Sequence, residues 1–390
     1  MVERSSEVKL RCLEDLAELD GARVLVRTDL RDLGAAMSPA DDFRLLGTLS
    51  TVDWLQERGA RVAVCSTLRD AASLRSAAEV LRKVWSMDVQ FMPDALDASV
   101  PTVLGSMAGR AVLLLENLAF HPEEATGEDA FARRLMEPFT HFVSDSFAAT
   151  CDRAASVETI PAMLARDRVA AGRSMQVEVD ALACLMNRDD RPFVSVVAGR
   201  CLKTKLSAVE RLVERSDRVV CGGDVGLALL SVGGHDLGGS CLDDACLDAA
   251  IRVRDQAAAG SVELVLPVDL AVEGHPEPRP VEEVPSEAHV VDIGPRSLER
   301  AAAVLSDAHT AFWYGQMAPS DGTDDPASDH AVARAMGEVH GYSVTAGMEI
   351  LMRLAGTGLA RRLSHVSSGG QAALSFIGGE RLPGLVPLET

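Results

Sequence analysis

VLLLENLAFHPEE, residues 112–124, is the stretch whose reading decides the fold. Its aliphatic start shows no polar alternation, as expected of a strand buried on both faces of a parallel sheet, here over 111–115. Glu116–His121 then follow the carboxyl end of that strand. VAVCSTLRD (62–70) and HFVSDSFAAT (141–150) are built the same way, an apolar run opening onto a polar cluster. Around them, apolar runs predict strands over 23–28, 61–66, 111–115 and 141–144. Amphipathic stretches between them predict helices over 41–58, 71–85 and 127–138, the first with Leu45, Leu46, Leu49, Val52 and Leu55 on its apolar face. The rhythm restarts after Pro192, with strands expected over 193–197, 218–221, 262–266, 311–313, 343–345 and 363–366. Such alternation makes an α/β fold of two doubly wound parallel-sheet, Rossmann-like domains. The amphipathic interval 174–191 joins the halves as an interdomain helix. Residues 273–287, rich in Pro and Glu, read as a surface loop.

Length agrees with this division: 390 residues suit two cores of roughly 150–200 residues each. The composition, 47% hydrophobic and 25% charged, is that of a globular protein, and with 4% aromatics the cores must be filled by aliphatic side chains and Ala. A formal net charge of −20 repels phosphate backbones and anionic lipids, so neither nucleic acid nor membrane is an expected partner. Any anionic ligand needs a local cationic pocket set against that field. The eight cysteines are scattered without a CxxC pair, which reads as reduced thiols in a cytoplasmic protein rather than a disulfide frame or zinc site. The charged N-terminus lacks a signal-peptide core, and no apolar run reaches the roughly 18 residues of a membrane span.

Two doubly wound sheets place their ligands outside the carboxyl ends of the strands. The segments found there are RTDLRDL (27–33), DDFRL (41–45, in the following helix), LLLENLAFHPEE (113–124), AGRCLKTKL (198–206), CGGDVG (221–226), LPVD (266–269), DIGP (292–295), WYGQMAPSD (313–321) and SHVSSGGQAALSFIGGERLPG (364–384). In this order and spacing they resemble phosphoglycerate kinase over roughly residues 9 to 386. The resemblance implies an acceptor domain over 1–173, the interdomain helix over 174–191, a nucleotide-binding domain over 192–375 and a tail over 376–390 returning to the first domain. It also implies ATP/ADP and Mg2+ as cofactors, a small carboxylate substrate, a monomer, and closure of the two domains for direct transfer.

The acceptor half of that family binds 3-phosphoglycerate through Asp, Asn, His and several Arg. Matched positions here keep Asp29 and Arg44. The Asn becomes Arg31, the His becomes Thr67, and a Gly-Arg pair becomes Arg69-Asp70. The Arg of the ENLRFH segment becomes Ala119, and a His-Arg pair becomes Cys151-Asp152, with Arg153 one place displaced. Phosphate monoesters are held by convergent guanidinium or ammonium donors. An Asp in place of an Arg adds repulsion on the order of several kcal/mol in a desolvated site. The resemblance therefore implies a rebuilt acceptor pocket, formed by Asp29, Arg31, Thr67, Asp70, Ala119, Asp152 and Arg153, for an acid other than 3-phosphoglycerate. Arg44 would stabilise charge at the transferring phosphoryl group.

In the nucleotide half the first of two family lysines becomes Cys201 and the second is Lys205, with Lys203 nearby. Gly199, Gly222 and Gly223 allow close approach of a base. Gly369 and Gly370 precede the last helix, where backbone N–H groups can hold a phosphate. The carboxylate that orders Mg-ATP becomes Glu349, a longer ligand for the metal, and its Thr neighbour becomes Ile350. Asp321 stands where a ribose-binding Glu is found, and Tyr314 replaces an Asn. Three readings follow: an active carboxylate kinase forming an acyl phosphate or running in reverse, a non-catalytic nucleotide-binding relative, and an ordinary phosphoglycerate kinase.

Overall fold

A computed structural model describes residues 8–31, 39–68, 72–107, 109–200, 202–238, 243–319, 327–354 and 357–390. The chain divides into two compact units, one ending at Asp180 and taking in Arg381–Thr390, the other Ala181–Glu380. In the first unit six strands are found: β1 (Arg23–Arg27), β2 (Arg61–Cys65), β3 (Val89–Met92), β4 (Val112–Leu115), β5 (His141–Ser144) and β6 (Val169–Ala171). All pair in parallel, in the order β3-β4-β2-β1-β5-β6. The run that opens 112–124 is β4, and its four residues are fully buried, as its unbroken aliphatic character requires. Each such side chain contributes on the order of 1.5–3 kcal/mol by leaving water.

The second unit carries β7 (Phe193–Val197), β8 (Arg218–Cys221), β9 (Glu263–Val265), β10 (Asp269–Val272), β11 (Arg279–Pro280), β12 (Val290–Ile293), β13 (Thr310–Tyr314), β14 (Tyr342–Ala346) and β15 (His365–Ser367). Six of them form a parallel sheet ordered β15-β14-β13-β7-β8-β9. Scarce aromatic volume is concentrated on strands: Phe142, Phe193, Phe312 and Trp313 are the largest fully buried aromatic side chains. In each sheet the direction of winding reverses beside the first strand, at β1/β5 and at β7/β13, the crevice where such sheets bind ligands.

Three expectations are corrected. The expected strands lack β3, β6, β10 and β12; β3 and β6 are short edge strands, one with Gln90 exposed and one built on two Ala, so neither shows the long apolar run of a central strand. The region 273–287 is not wholly a loop. It contributes β11, which with β10 and β12 forms a separate antiparallel sheet, and Pro280 is tolerated because β11 is an edge. The helix expected over 174–191 is Arg173–Asn187, and the chain beyond it is drawn into the sheet, the Asp190 carbonyl accepting from Thr310 Oγ1 at 3.0 Å.

Two retained segments prove to be framework. Asp269 of LPVD caps the helix Pro295–Ser306 that follows DIGP, accepting from the Ser297 backbone N–H at 2.8 Å and its Oγ at 2.6 Å. A Cβ at Gly294 would lie 2.3 Å from the Asp269 carboxyl carbon, which requires the glycine. Among the described residues no helix is long and apolar enough to cross a membrane.

Candidate active site

The first cluster sits beyond the carboxyl end of β1. Asp29 is buried, and both its oxygens face Arg31: Nε donates to Oδ1 at 2.8 Å and Nη2 to Oδ2 at 2.6 Å. The Arg31 backbone N–H also donates to Oδ1, at 3.1 Å. Arg44 reaches in from the helix Pro39–Gln56, its Nη1 3.4 Å from Asp29 Oδ2 and its Nη2 donating to the Arg31 carbonyl at 3.1 Å. Burial by itself would raise the Asp29 carboxyl. The hydrogen bonds and charge of Arg31, then the charge of Arg44, outweigh it and hold the group well below the usual carboxylate range. Two guanidiniums, those of Arg31 and Arg44, thus converge on one ionised carboxylate. Arg44 is 6% exposed, so its charge is directed into the protein and not into bulk water.

Arg27, the last residue of β1, is a buried cation that the sequence reading passed over. Its Nη2 donates to Thr67 Oγ1 at 2.7 Å and its Nε to Ser156 Oγ at 3.0 Å, and Nη1 donates to the Thr28 carbonyl. Ser156 passes its own hydrogen bond to Glu124 Oε1 at 2.5 Å, and its backbone N–H holds Oε2 at 3.0 Å. Burial raises the Glu124 carboxyl, with Ser156 and Arg27 acting against that shift. The available signal was a charge closing an otherwise apolar run, RVLVR.

Glu116 and Asn117 clasp the segment after β2. Glu116 accepts from Ser73 Oγ at 2.6 Å and from the Leu74 N–H at 2.8 Å, while Asn117 bonds the Leu68 N–H at 3.0 Å and the Ala72 carbonyl at 2.9 Å. Ala119 is exposed, as are Asp152 and Arg153, the latter making a surface pair with Glu158 at 3.4 Å. Asp70 lies outside the described residues. Asp29, Arg31 and Arg44 are thus brought together, and Thr67 is engaged by Arg27.

In the second unit the ends of β7, β8 and β13 meet backbone to backbone. The Gly199 N–H donates to the Gln316 carbonyl at 2.8 Å, the Gly223 N–H to the Met317 carbonyl at 2.7 Å, and the Gly222 N–H to the Val197 carbonyl at 3.1 Å. Gly223 has φ 54°, and a Cβ there would lie 2.5 Å from the Gly199 nitrogen; on Gly315, with φ 84°, it would lie 2.2 Å from the Ala198 carbonyl oxygen. This seam admits no side chain. This cradle of glycines lies at the winding reversal, and Gly315 and Met317 belong to it.

Lys205 closes one side of this region. It is buried, its Nζ donates to the Ala198 carbonyl at 2.8 Å, and it stands 5.2 Å from the centre of the Tyr314 ring. Burial, and then the charge of Glu349, push the Tyr314 hydroxyl up to about 12, so the ring stays neutral. Glu349 itself is exposed on the first turn of the helix Met348–Leu354. Ile350 is fully buried in the core cluster with Trp313 and Met317. Gly369 is buried with its N–H on Ser367 Oγ at 3.1 Å, and Gly370, with φ 52°, leads into the helix Gln371–Ile377. Cys201 and Asp321 lie outside the described residues.

Among the described residues no group of three His, Cys, Asp or Glu side chains can hold a metal ion. Mg2+ is commonly held by one or two carboxylates completed by substrate phosphates. Glu349, exposed on the first turn of its helix, is a carboxylate of the chemical type such an ion takes.

Residues 13–380 match a family model described as phosphoglycerate kinase. The chain is 32% identical over 386 residues to a phosphoglycerate kinase of Desulfosudis oleivorans, covering 95% of this chain and 97% of that one. It is 33% identical over 395 residues to that of Rubrobacter xylanophilus, covering 97% and 98%. Among solved structures, phosphoglycerate kinase from Coxiella burnetii superposes with a TM-score of 0.79 at 27% identity, covering 97% of this chain and 99% of that chain.

Proposed function

The chain belongs to the phosphoglycerate kinase family of phosphotransferases, and we propose that it transfers a phosphoryl group between ATP and the carboxylate of a small acid other than 3-phosphoglycerate. The observation that carries this reading is the Asp29–Arg31 pair. Arg31 takes both carboxylate oxygens of Asp29, so this side of the pocket meets an incoming acid with a guanidinium edge in place of an acceptor. A phosphorylated acid brings a further dianion, and positions 119 and 152 offer it a methyl group and a carboxylate.

In the forward direction an oxygen of the acid attacks the γ-phosphorus of ATP. The bond from that phosphorus to the β,γ-bridging oxygen breaks, ADP leaves with the electron pair, and an acyl phosphate forms. Arg44 orients the attacking carboxylate and stabilises charge on the transferring group, and Lys205 does the same from the nucleotide side. The glycine seam of Gly199, Gly222 and Gly223 receives the base, and Gly370, leading into the last helix, presents its backbone N–H to phosphate, while the Gly369 N–H is held by Ser367 Oγ. Glu349 would hold Mg2+ together with the nucleotide phosphates, and the ion when bound neutralises charge on the β- and γ-phosphates. The protein would work as a monomer in the cytoplasm.

Calorimetry with Mg-ATP and Mg-ADP tests the nucleotide half, and ATP consumption across small carboxylic acids with hydroxylamine trapping tests the acceptor. Hydroxamate formation with an unphosphorylated acid supports the proposal. Nucleotide binding without consumption on any acid points instead to a non-catalytic relative, and efficient turnover of 3-phosphoglycerate to an ordinary family kinase.

A further inference from the structure

Asp329 is fully buried on the helix Ala327–Met336, and its Oδ1 accepts the backbone N–H of Met317 at 2.7 Å. Arg353 Nε stands 3.8 Å from the other oxygen. Met317 in turn holds the glycine seam at two points. Its carbonyl accepts the Gly223 N–H at 2.7 Å, and its side chain covers Gly222 so closely that a Cβ there would lie 2.5 Å from Met317 Cε. The neighbouring carbonyl, of Gln316, accepts the Gly199 N–H at 2.8 Å. A carboxylate withdrawn from water is costly unless its hydrogen bonds are made, so its partner N–H is strongly held in return. Burial pushes the Asp329 carboxyl up to about 6, against the pull of the Met317 N–H and of Arg353, with Asp292 and His330 the other ionisable groups around it.

We propose that Asp329 is a positioning residue for the nucleotide: by holding the Met317 amide it fixes the loop whose carbonyls and thioether shape the glycine cradle. The inference rests on the reading of this cradle as the nucleotide site. It assigns to a buried residue without ligand contact a direct effect on nucleotide affinity.

The test compares the full chain with its D329A and D329N variants by Mg-ADP calorimetry and backbone amide exchange. The asparagine keeps an oxygen for the Met317 N–H, so D329N should bind within about threefold of the unsubstituted protein. D329A should bind at least about tenfold more weakly. In D329A the Met317 and Gly223 amides should exchange at least about tenfold faster, with Val196 and Phe312 in the sheet unchanged. Unchanged affinity and exchange in D329A, or a loss in D329N equal to that in D329A, overturns the proposal. If D329A does not fold, the unsubstituted protein still decides: Met317 and Gly223 should open together with matched protection, and a mismatch beyond about tenfold overturns the linkage. Absence of Mg-ADP binding by the unsubstituted protein refutes the nucleotide reading separately, while the exchange comparison still reports on Asp329.

Discussion

Arg31 Nε and Nη2 donate to the two carboxylate oxygens of Asp29, at 2.8 Å and 2.6 Å. A fork of this kind is geometrically specific, and a lysine ammonium cannot reproduce it. R31K should therefore lower kcat/KM for the cognate acid by about tenfold, and R31A by about a hundredfold. Both variants should leave the Mg-ADP Kd unchanged, because the pair lies in the other unit. Steady-state kinetics beside calorimetry read the two effects apart.

Asp29 also predicts a pH dependence of stability. Its folded carboxyl is held below its unfolded value, so the stabilisation is present above the unfolded pKa near 4 and is lost as pH falls through the acid range. D29N should be less stable than the unsubstituted protein by on the order of 2 kcal/mol at pH 7. That gap should narrow toward pH 3 in urea melts.

Asp145 predicts the opposite sign. It follows β5, is buried, and its Oδ1 accepts the Met175 N–H at 3.1 Å near the start of the helix Arg173–Asn187. Burial pushes its carboxyl up to about 7, against hydrogen bonds from Thr51 and the Met175 and Ser174 amides. A raised folded pKa gives stability that is full below the unfolded value near 4 and is lost as pH rises through about 7. D145N, which keeps the acceptor oxygen, should be more stable than the unsubstituted protein at pH 8 by on the order of 1–3 kcal/mol, with that gain shrinking toward pH 4. Thermal midpoints across that range check both halves of the statement.

The glycine seam sets a steric limit. G223A places a Cβ 2.5 Å from the Gly199 nitrogen and 2.8 Å from the Gln316 carbonyl oxygen, at φ 54°. It should destabilise the second unit by on the order of 1–3 kcal/mol and weaken Mg-ADP binding at least about tenfold. G234A serves as the control for strain alone, since Gly234 also has positive φ, 94°, and a Cβ there meets nothing within 4 Å. Equal loss of nucleotide affinity in the two variants would count against the cradle.

Arg44 lies in the first unit and Lys205 in the second. K205A and R44A should each reduce turnover by at least about tenfold, with the loss in K205A persisting at saturating acid. Turnover equal to that of the unsubstituted protein in both variants removes these two residues from the mechanism.

Central strands were legible because each is a short unbroken apolar run ending in a polar cluster: β5, β7 and β8 fall within the residues their runs predict. The edge strands β3, β6 and β11 were not, since pairing on one side leaves room for Gln90, Ala170 and Pro280, whereas the edge strands β9 and β15 fall on apolar runs and were expected. At the site, residue types such as Asp29, Arg31 and Arg44 could be singled out from the sequence. Their pairing could not, because it depends on how a helix turns one guanidinium toward a strand end. Arg27 and Asp329 escaped notice for a related reason: each acts through buried hydrogen bonds to residues distant in sequence, which no local pattern encodes.

The proposed change of acceptor is tested most directly by steady-state turnover of 3-phosphoglycerate with Mg-ATP, coupled to detection of ADP, on the unsubstituted protein. The rebuilt cluster around Asp29 and Arg31 predicts no saturable turnover of this acid, with unphosphorylated carboxylic acids preferred over it in the same assay. A kcat/KM for 3-phosphoglycerate within the usual enzymatic range of about 10⁴–10⁸ M⁻¹s⁻¹ would contradict it.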